Sequence, residues 1–136
     1  MIEFLPQVIG WFESGLIPLG HEIRADPRFS LREGDVYAHL ARAPIDRYDL
    51  ILIDVDHAPE EHLGEANSAF YTEAALRKAS AHLAPDGILG VWSYAESRNF
   101  AQLLSRVFGD VRVERVTFWN SVIEQEEWNW LLLVRP

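Results

Sequence analysis

The sequence contains no cysteine, which excludes a disulfide framework and any thiolate metal site. No apolar run reaches the ~18 residues of a membrane span, and no basic stretch precedes an apolar one at the N-terminus. A soluble, cytoplasmic protein with no membrane partner is expected. Basic residues are scarce: 12 Lys and Arg stand against 21 Asp and Glu, for a formal net charge of −9. Clustered Lys and Arg carry most nucleic-acid affinity, so nucleic acid is not an expected partner. An acidic surface suits a cationic substrate such as a polyamine, and it is also an ordinary aid to solubility.

What is present suffices for one core. A chain of 136 residues, 49% of them apolar, predicts a single domain over 1–136. Five tryptophans and seven phenylalanines offer large side chains, each contributing roughly 1.5–3 kcal/mol when fully buried.

The most apolar strand signal is Tyr48-Asp49-Leu50-Ile51-Leu52-Ile53-Asp54-Val55-Asp56-His57. Continuous rather than alternating hydrophobicity predicts a strand covered on both faces. Asp54, Asp56 and His57 stand where it ends. In open α/β sheets that is where ligands bind, although polar residues also simply begin loops.

Around this strand the chain alternates. Ile2-Glu3-Phe4-Leu5 reads as a strand, and Pro6 opens a helix with Val8, Ile9 and Phe12 on one face, stopped at Gly15. A loop with Pro18, Gly20 and Pro27 leads to a strand over Phe29-Ser30-Leu31-Arg32-Glu33. Asp35 is placed as the N-cap of a helix that ends by Pro44. After the central strand and a loop with Pro59, Glu60, Glu61, His62 and Glu65, a helix is predicted from about Ser68 to His82. Pro85-Asp86-Gly87 is turn chemistry, and Ile88 to Trp92 is a buried strand. Phe100, Leu103, Leu104, Val107 and Phe108 follow the spacing of an amphipathic helix. Val111-Arg112-Val113, Val116 to Trp119 and Trp128 to Val134 close the chain, the last two as an antiparallel hairpin. Alternating strands and helices predict an α/β, Rossmann-like, mostly parallel sheet with helices on both faces and a C-terminal antiparallel hairpin.

This order resembles that of class I S-adenosylmethionine (SAM)-dependent methyltransferases. Five stretches resemble the spermidine synthase family within that fold. Ile2-Glu3-Phe4-Leu5-Pro6-Gln7-Val8-Ile9 is similar to its V-E-I-D-x-x-V-I motif, and Asp26-Pro27-Arg28 with Gly34-Asp35 to its D-P-R…G-D stretch. Tyr48 to Asp54 is similar to Y-D-x-I-x-x-D, Phe70-Tyr71 to F-Y, and Leu83-Ala84-Pro85-Asp86-Gly87 to L-x-P-x-G.

The resemblance implies a nucleoside site for decarboxylated SAM or SAM. Glu3 would accept from the ribose hydroxyls, since a carboxylate offers two acceptor oxygens to a vicinal diol. Asp35 would take the adenine amine, with backbone groups near Val36 completing that edge. Asp54 would be the catalytic carboxylate, orienting an attacking amine and helping to remove its proton. Asp56, His57 and Tyr71 would line the site of a polyamine-like amine.

The chain departs from the pattern in four places. It has no Gly-rich loop for the cofactor's amino-acid end, and no N-terminal β-rich segment, so a domain truncated at the N-terminus is expected. Val55-Asp56-His57-Ala58-Pro59 stands where the family reads S-S-D-P, and Glu65-Ala66 replaces L-Y before the F-Y motif. Weak or absent activity is therefore expected of this chain. Two other functions fit the residues. Ile53-Asp54-Val55-Asp56-His57 also looks like the I-D-x-D-H strand end of some O-methyltransferases, where such side chains gather a divalent metal. Here these ligands and His62 crowd one loop, so no metal is expected. A non-catalytic assembly domain is the third reading. A homodimer is expected in each case, built by the N-terminal strand and the hairpin with Trp119, Trp128 and Trp130.

Overall fold

The structure is a computed structural model that describes residues 1–55, 58–59, 61 and 69–136. They form two compact units, Met1–His39 and Leu40–Pro136.

In the first unit, β1 (Ile2–Glu3) and β2 (Arg32–Glu33) pair in parallel, with Ile2 opposite Arg32 and Glu3 opposite Glu33. Between them lie α1 (Pro6–Glu13) and α2 (Gly20–Ala25). Pro6 suits the first turn of α1 because a backbone N–H has no helical partner there. Phe12 is buried on the inner face of α1 and stacks on Phe29 with ring centroids 5.5 Å apart. Gly15, at φ 75°, ends that helix in the left-handed region. α2 corrects the predicted loop: Pro18 and Pro27 bracket a short helix rather than abolish it. The expected strand over Phe29–Glu33 shortens to its last two residues. Asp26 bends the chain ahead of it, accepting from the Arg28 backbone N–H at 2.8 Å and from its guanidinium at 2.5 Å.

α3 (Val36–Leu40) leads into the second unit. There β3 (Tyr48–Ile53), β4 (Leu83–Ser93), β5 (Asp110–Asn120) and β6 (Gln125–Arg135) form one sheet in the order β3-β4-β6-β5. β3 and β4 are parallel, whereas β4–β6 and β5–β6 are antiparallel. The sheet is therefore mixed, not mostly parallel, because the expected hairpin supplies two of its four strands.

α4 (Glu73–Ala81) packs on β4 and α5 (Arg98–Ser105) on β5, and the two helices touch each other. Thr72 and Ser97 cap them, accepting from the N–H of Ala75 and Phe100, each at 3.3 Å. Leu76, Leu104, Leu89, Val91, Leu132 and Val134 make the core of this unit. Phe108, the last apolar position of the predicted helix, is buried just beyond the end of α5.

Two expectations fail in the sheet. β3 is an edge strand with one open face: Leu50 and Leu52 are 54% and 67% exposed, while Ile53 is 2% exposed. Pro85-Asp86-Gly87 lies inside β4 rather than in a turn before it. The ladder absorbs it as a bulge, since Tyr48 faces Leu83 but Leu50 faces Ile88.

Candidate functional site

Glu3 and Asp35 come together at one end of the first unit's sheet. Glu3 ends β1, Asp35 follows β2 by two residues, and the Gly34 N–H donates to the Glu3 carbonyl at 2.9 Å. Both carboxylates thus stand at the carboxyl ends of adjacent parallel strands, the usual ligand side of an α/β sheet. Each is half-buried and steadied by its own backbone. Glu3 Oε1 accepts from the Leu5 N–H at 2.8 Å. Asp35 Oδ1 accepts from the N–H groups of Tyr37 (2.8 Å) and Ala38 (3.2 Å), capping α3 as its position implied. In each case the second carboxylate oxygen has no bond among the described residues. Val36 opens α3 and is half-buried.

Asp54 belongs to the second unit. It is the first residue after β3, is exposed, and has no hydrogen-bond or salt-bridge partner among the described residues. β4 runs parallel beside it, with Ile53 opposite Val91, so the end of β4 reaches the same edge of the sheet. Ser93 closes that strand: its hydroxyl donates to the Ala95 carbonyl at 2.7 Å and accepts from the Ala95 N–H at 3.2 Å. The turn leaves Tyr94 projecting, its ring 6.4 Å from that of Trp92. The Tyr94 hydroxyl donates to the Glu61 carboxylate. That bond, with burial and the negative charge of Glu61 adding to it, raises the Tyr94 phenol above its ordinary pKa.

Tyr71 is half-buried and sits edge-on against Phe70 (5.3 Å) and Phe100 (5.0 Å). Its described ring contacts are those of a packed aromatic cluster. Asp56, His57 and His62 lie outside the described residues. Among the described residues no group of three His, Asp or Glu side chains is placed to hold a metal, and no helix is long and apolar enough to cross a membrane. The Tyr94–Glu61 pair escaped the sequence reading. Its members are 33 residues apart, and nothing in the sequence marks either as the partner of the other.

No family model matches the sequence, and neither does any curated protein. Solved structures do match. Human methyltransferase-like protein 13, in complex with S-adenosylhomocysteine (SAH), superimposes with a TM-score of 0.66 at 20% identity, over 98% of this chain and 59% of that one. The chain has the methyltransferase fold. A probable spermidine synthase from Corynebacterium glutamicum gives 0.59 at 19% identity, covering 90% of this chain and 44% of that protein. The N-methyltransferase NodS from Bradyrhizobium japonicum gives 0.54 at 17% identity, covering 98% and 70%. Two of these three methyltransferase-fold proteins are thus matched over less than two thirds of their length. Within the fold, the ends of β1 and β2 and the end of β3 are the positions of Glu3, Asp35 and Asp54.

Proposed function

We propose that the chain is a spermidine synthase-like transferase domain with a partial site for a SAM-type nucleoside. The observation that carries this reading is the pair of half-buried carboxylates, Glu3 and Asp35, at neighbouring parallel strand ends, each with one oxygen held and the other without a bond among the described residues. That pair of acceptors fits the nucleoside: Glu3 would accept from the ribose hydroxyls, and Asp35 from the adenine amine beside Val36.

When bound, such a cofactor supplies a carbon made electrophilic by an adjacent sulfonium. Asp54 would orient an acceptor amine and take up its proton, and the cofactor would supply the carbon with its thioether as leaving group. The carboxylates of Asp54 and Glu61 and the rings of Trp92 and Tyr94 suit an ammonium-bearing acceptor, through charge and through the aromatic faces. Asp56, His57 and Tyr71 are kept as candidate acceptor contacts on the family resemblance. The cofactor is decarboxylated SAM or SAM. Methyl transfer to a small molecule is the second reading, favoured by the two methyltransferases among the neighbours.

Turnover by this chain is expected to be very low. It carries no Gly-rich loop to fix the cofactor's amino-acid end, and positioning is worth about 7–11 kcal/mol of barrier. Isothermal titration with millimolar methylthioadenosine and SAH should give weak binding to both. Transfer from decarboxylated SAM or SAM to an amine, if measurable, should be lost in Asp54→Asn. No heat with either ligand, or transfer unchanged by Asp54→Asn, would sink the reading.

A further inference from the structure

Asn129 interrupts the apolar part of β6. It stands between Trp128 and Trp130, is half-buried, and is of a residue type that strands disfavour. The register explains its place. β4 pairs with β6 up to Ser93 opposite Trp130, so Asn129 is the first residue of β6 past the end of β4. Trp92 faces Leu131, which puts Asn129 on the diagonal from Trp92 and on the same face of the sheet. Its amide uses that position. Oδ1 accepts from the Trp92 Nε1–H at 3.2 Å, and Nδ2 donates to the Trp128 carbonyl at 3.1 Å. The reverse orientation would set donor against donor and acceptor against acceptor.

That bond fixes an aromatic ring at the sheet edge where Asp54 follows β3. Leu52 faces Gly90 and Ile53 faces Val91, so one further step of the parallel register brings Asp54 beside Trp92. Adjacent strands run about 4.8 Å apart. Asp54 is exposed and has no partner among the described residues. The Tyr94 ring lies 6.4 Å from that of Trp92, tilted by 53°. A half-buried indole whose one N–H is already taken offers a ligand only its ring. The negative face of such a ring attracts a cation, and the carboxylate beside it attracts the same charge. Together they select a protonated amine over a neutral or anionic ligand.

We propose that Asn129 is a positioning residue of the acceptor site: it holds the Trp92 ring as a platform for a protonated alkylamine beside Asp54. The inference rests on the transferase reading given above, of which it specifies the acceptor half. It concerns binding alone, so it is tested without nucleoside and without turnover.

The probes are n-butylammonium and its neutral isostere 1-butanol, titrated at neutral pH into the full chain. Indole N–H signals are followed by NMR, the Trp92 signal being the one lost in Trp92→Phe. Millimolar butylammonium should shift that signal saturably, and butanol should not. Asn129→Val suits a strand and should keep the circular dichroism spectrum of the wild type. It should nevertheless move the Trp92 signal of the free protein and weaken butylammonium binding by roughly threefold or more. Asn129→Ala, read in the same way, replaces the valine variant if that one misfolds. Asn129→Asp keeps the accepting oxygen and should restore binding. A Trp92 signal that butylammonium leaves in place, or that butanol shifts equally, would overturn the proposal. So would an Asn129→Val that binds like the wild type, or an Asn129→Asp that binds as weakly as Asn129→Val. If methylthioadenosine fails to bind while butylammonium still shifts Trp92, the nucleoside reading falls and the role of Asn129 stands.

Discussion

Gly87 and Gly90 are both buried in β4, and their surroundings give them different sensitivities. A Cβ on Gly87 would lie 2.7 Å from the Tyr48 carbonyl oxygen, and 3.0 and 3.1 Å from the backbone N and O of Ala84. Nothing there yields without moving the bulge itself. A Cβ on Gly90 would meet the methyl ends of Leu52 at 2.9 Å and Leu133 at 3.3 Å, and Leu52 is mostly exposed and free to swing away. Gly87→Ala is therefore expected to cost about 1–3 kcal/mol as an overpacked site, and Gly90→Ala clearly less. Urea melts of the two variants check this, and equal losses would contradict it. The sequence showed only that a Gly followed a Pro-Asp pair. Which glycine faces backbone depends on a bulge that local turn chemistry does not encode.

Tyr94 offers a second test at the same scale. Its phenol donates to Glu61 and is held protonated above the ordinary tyrosine value. The bond is therefore present below that value and is lost as pH rises through the higher folded one. In an alkaline absorbance titration of phenolate, Tyr94→Phe should remove a late-titrating tyrosine. Glu61→Gln should bring that step down toward the ordinary value, and no movement would show that Glu61 does not hold it.

Among the elements, the ones set by local chemistry were legible. Pro6 and Gly15 marked the ends of α1, and Asp35 was readable as a cap because its short carboxylate suits the first turn of a helix. The face exposure of β3 was not legible. Leu50, Ile51, Leu52 and Ile53 are all apolar, so a run open on one side reads the same as one covered on both. Exposure depends on what packs against the strand, which its own residues do not state. α2 was missed because Pro and Gly mark the limits of a short helix with the same residues that mark a loop.

The double duty of Asp35 can be separated by element-level substitution. Asp35→Ser keeps a capping oxygen and should leave stability within a few tenths of a kcal/mol, whereas Asp35→Ala should lose about 1 kcal/mol. Both should weaken nucleoside binding, since both remove the open carboxylate oxygen. If Asp35→Ser binds like the wild type, Asp35 is a cap alone.

At the scale of the whole chain, the strand and helix order carried the fold, and the superpositions at TM-scores of 0.54 to 0.66 bear out the methyltransferase architecture. The strands divide into a two-stranded and a four-stranded sheet. Pairing between strands distant in sequence is decided by tertiary packing, not by any one strand's residues. The candidate site was legible where carboxylates end strands, at Glu3, Asp35 and Asp54. It was illegible where distant side chains meet, as at Tyr94 and Glu61.

The central claim is that Glu3 reads a ribose. Its direct test is the ratio of dissociation constants for methylthioadenosine and its 2′-deoxy analogue, measured by titration for the wild type and for Glu3→Gln. A hydrogen bond to a charged group is worth about 1.5–3 kcal/mol, so the wild type should prefer the ribose form by roughly tenfold or more. In Glu3→Gln that preference should largely collapse. A wild type that binds both forms equally, or a preference that survives the substitution intact, would contradict the account.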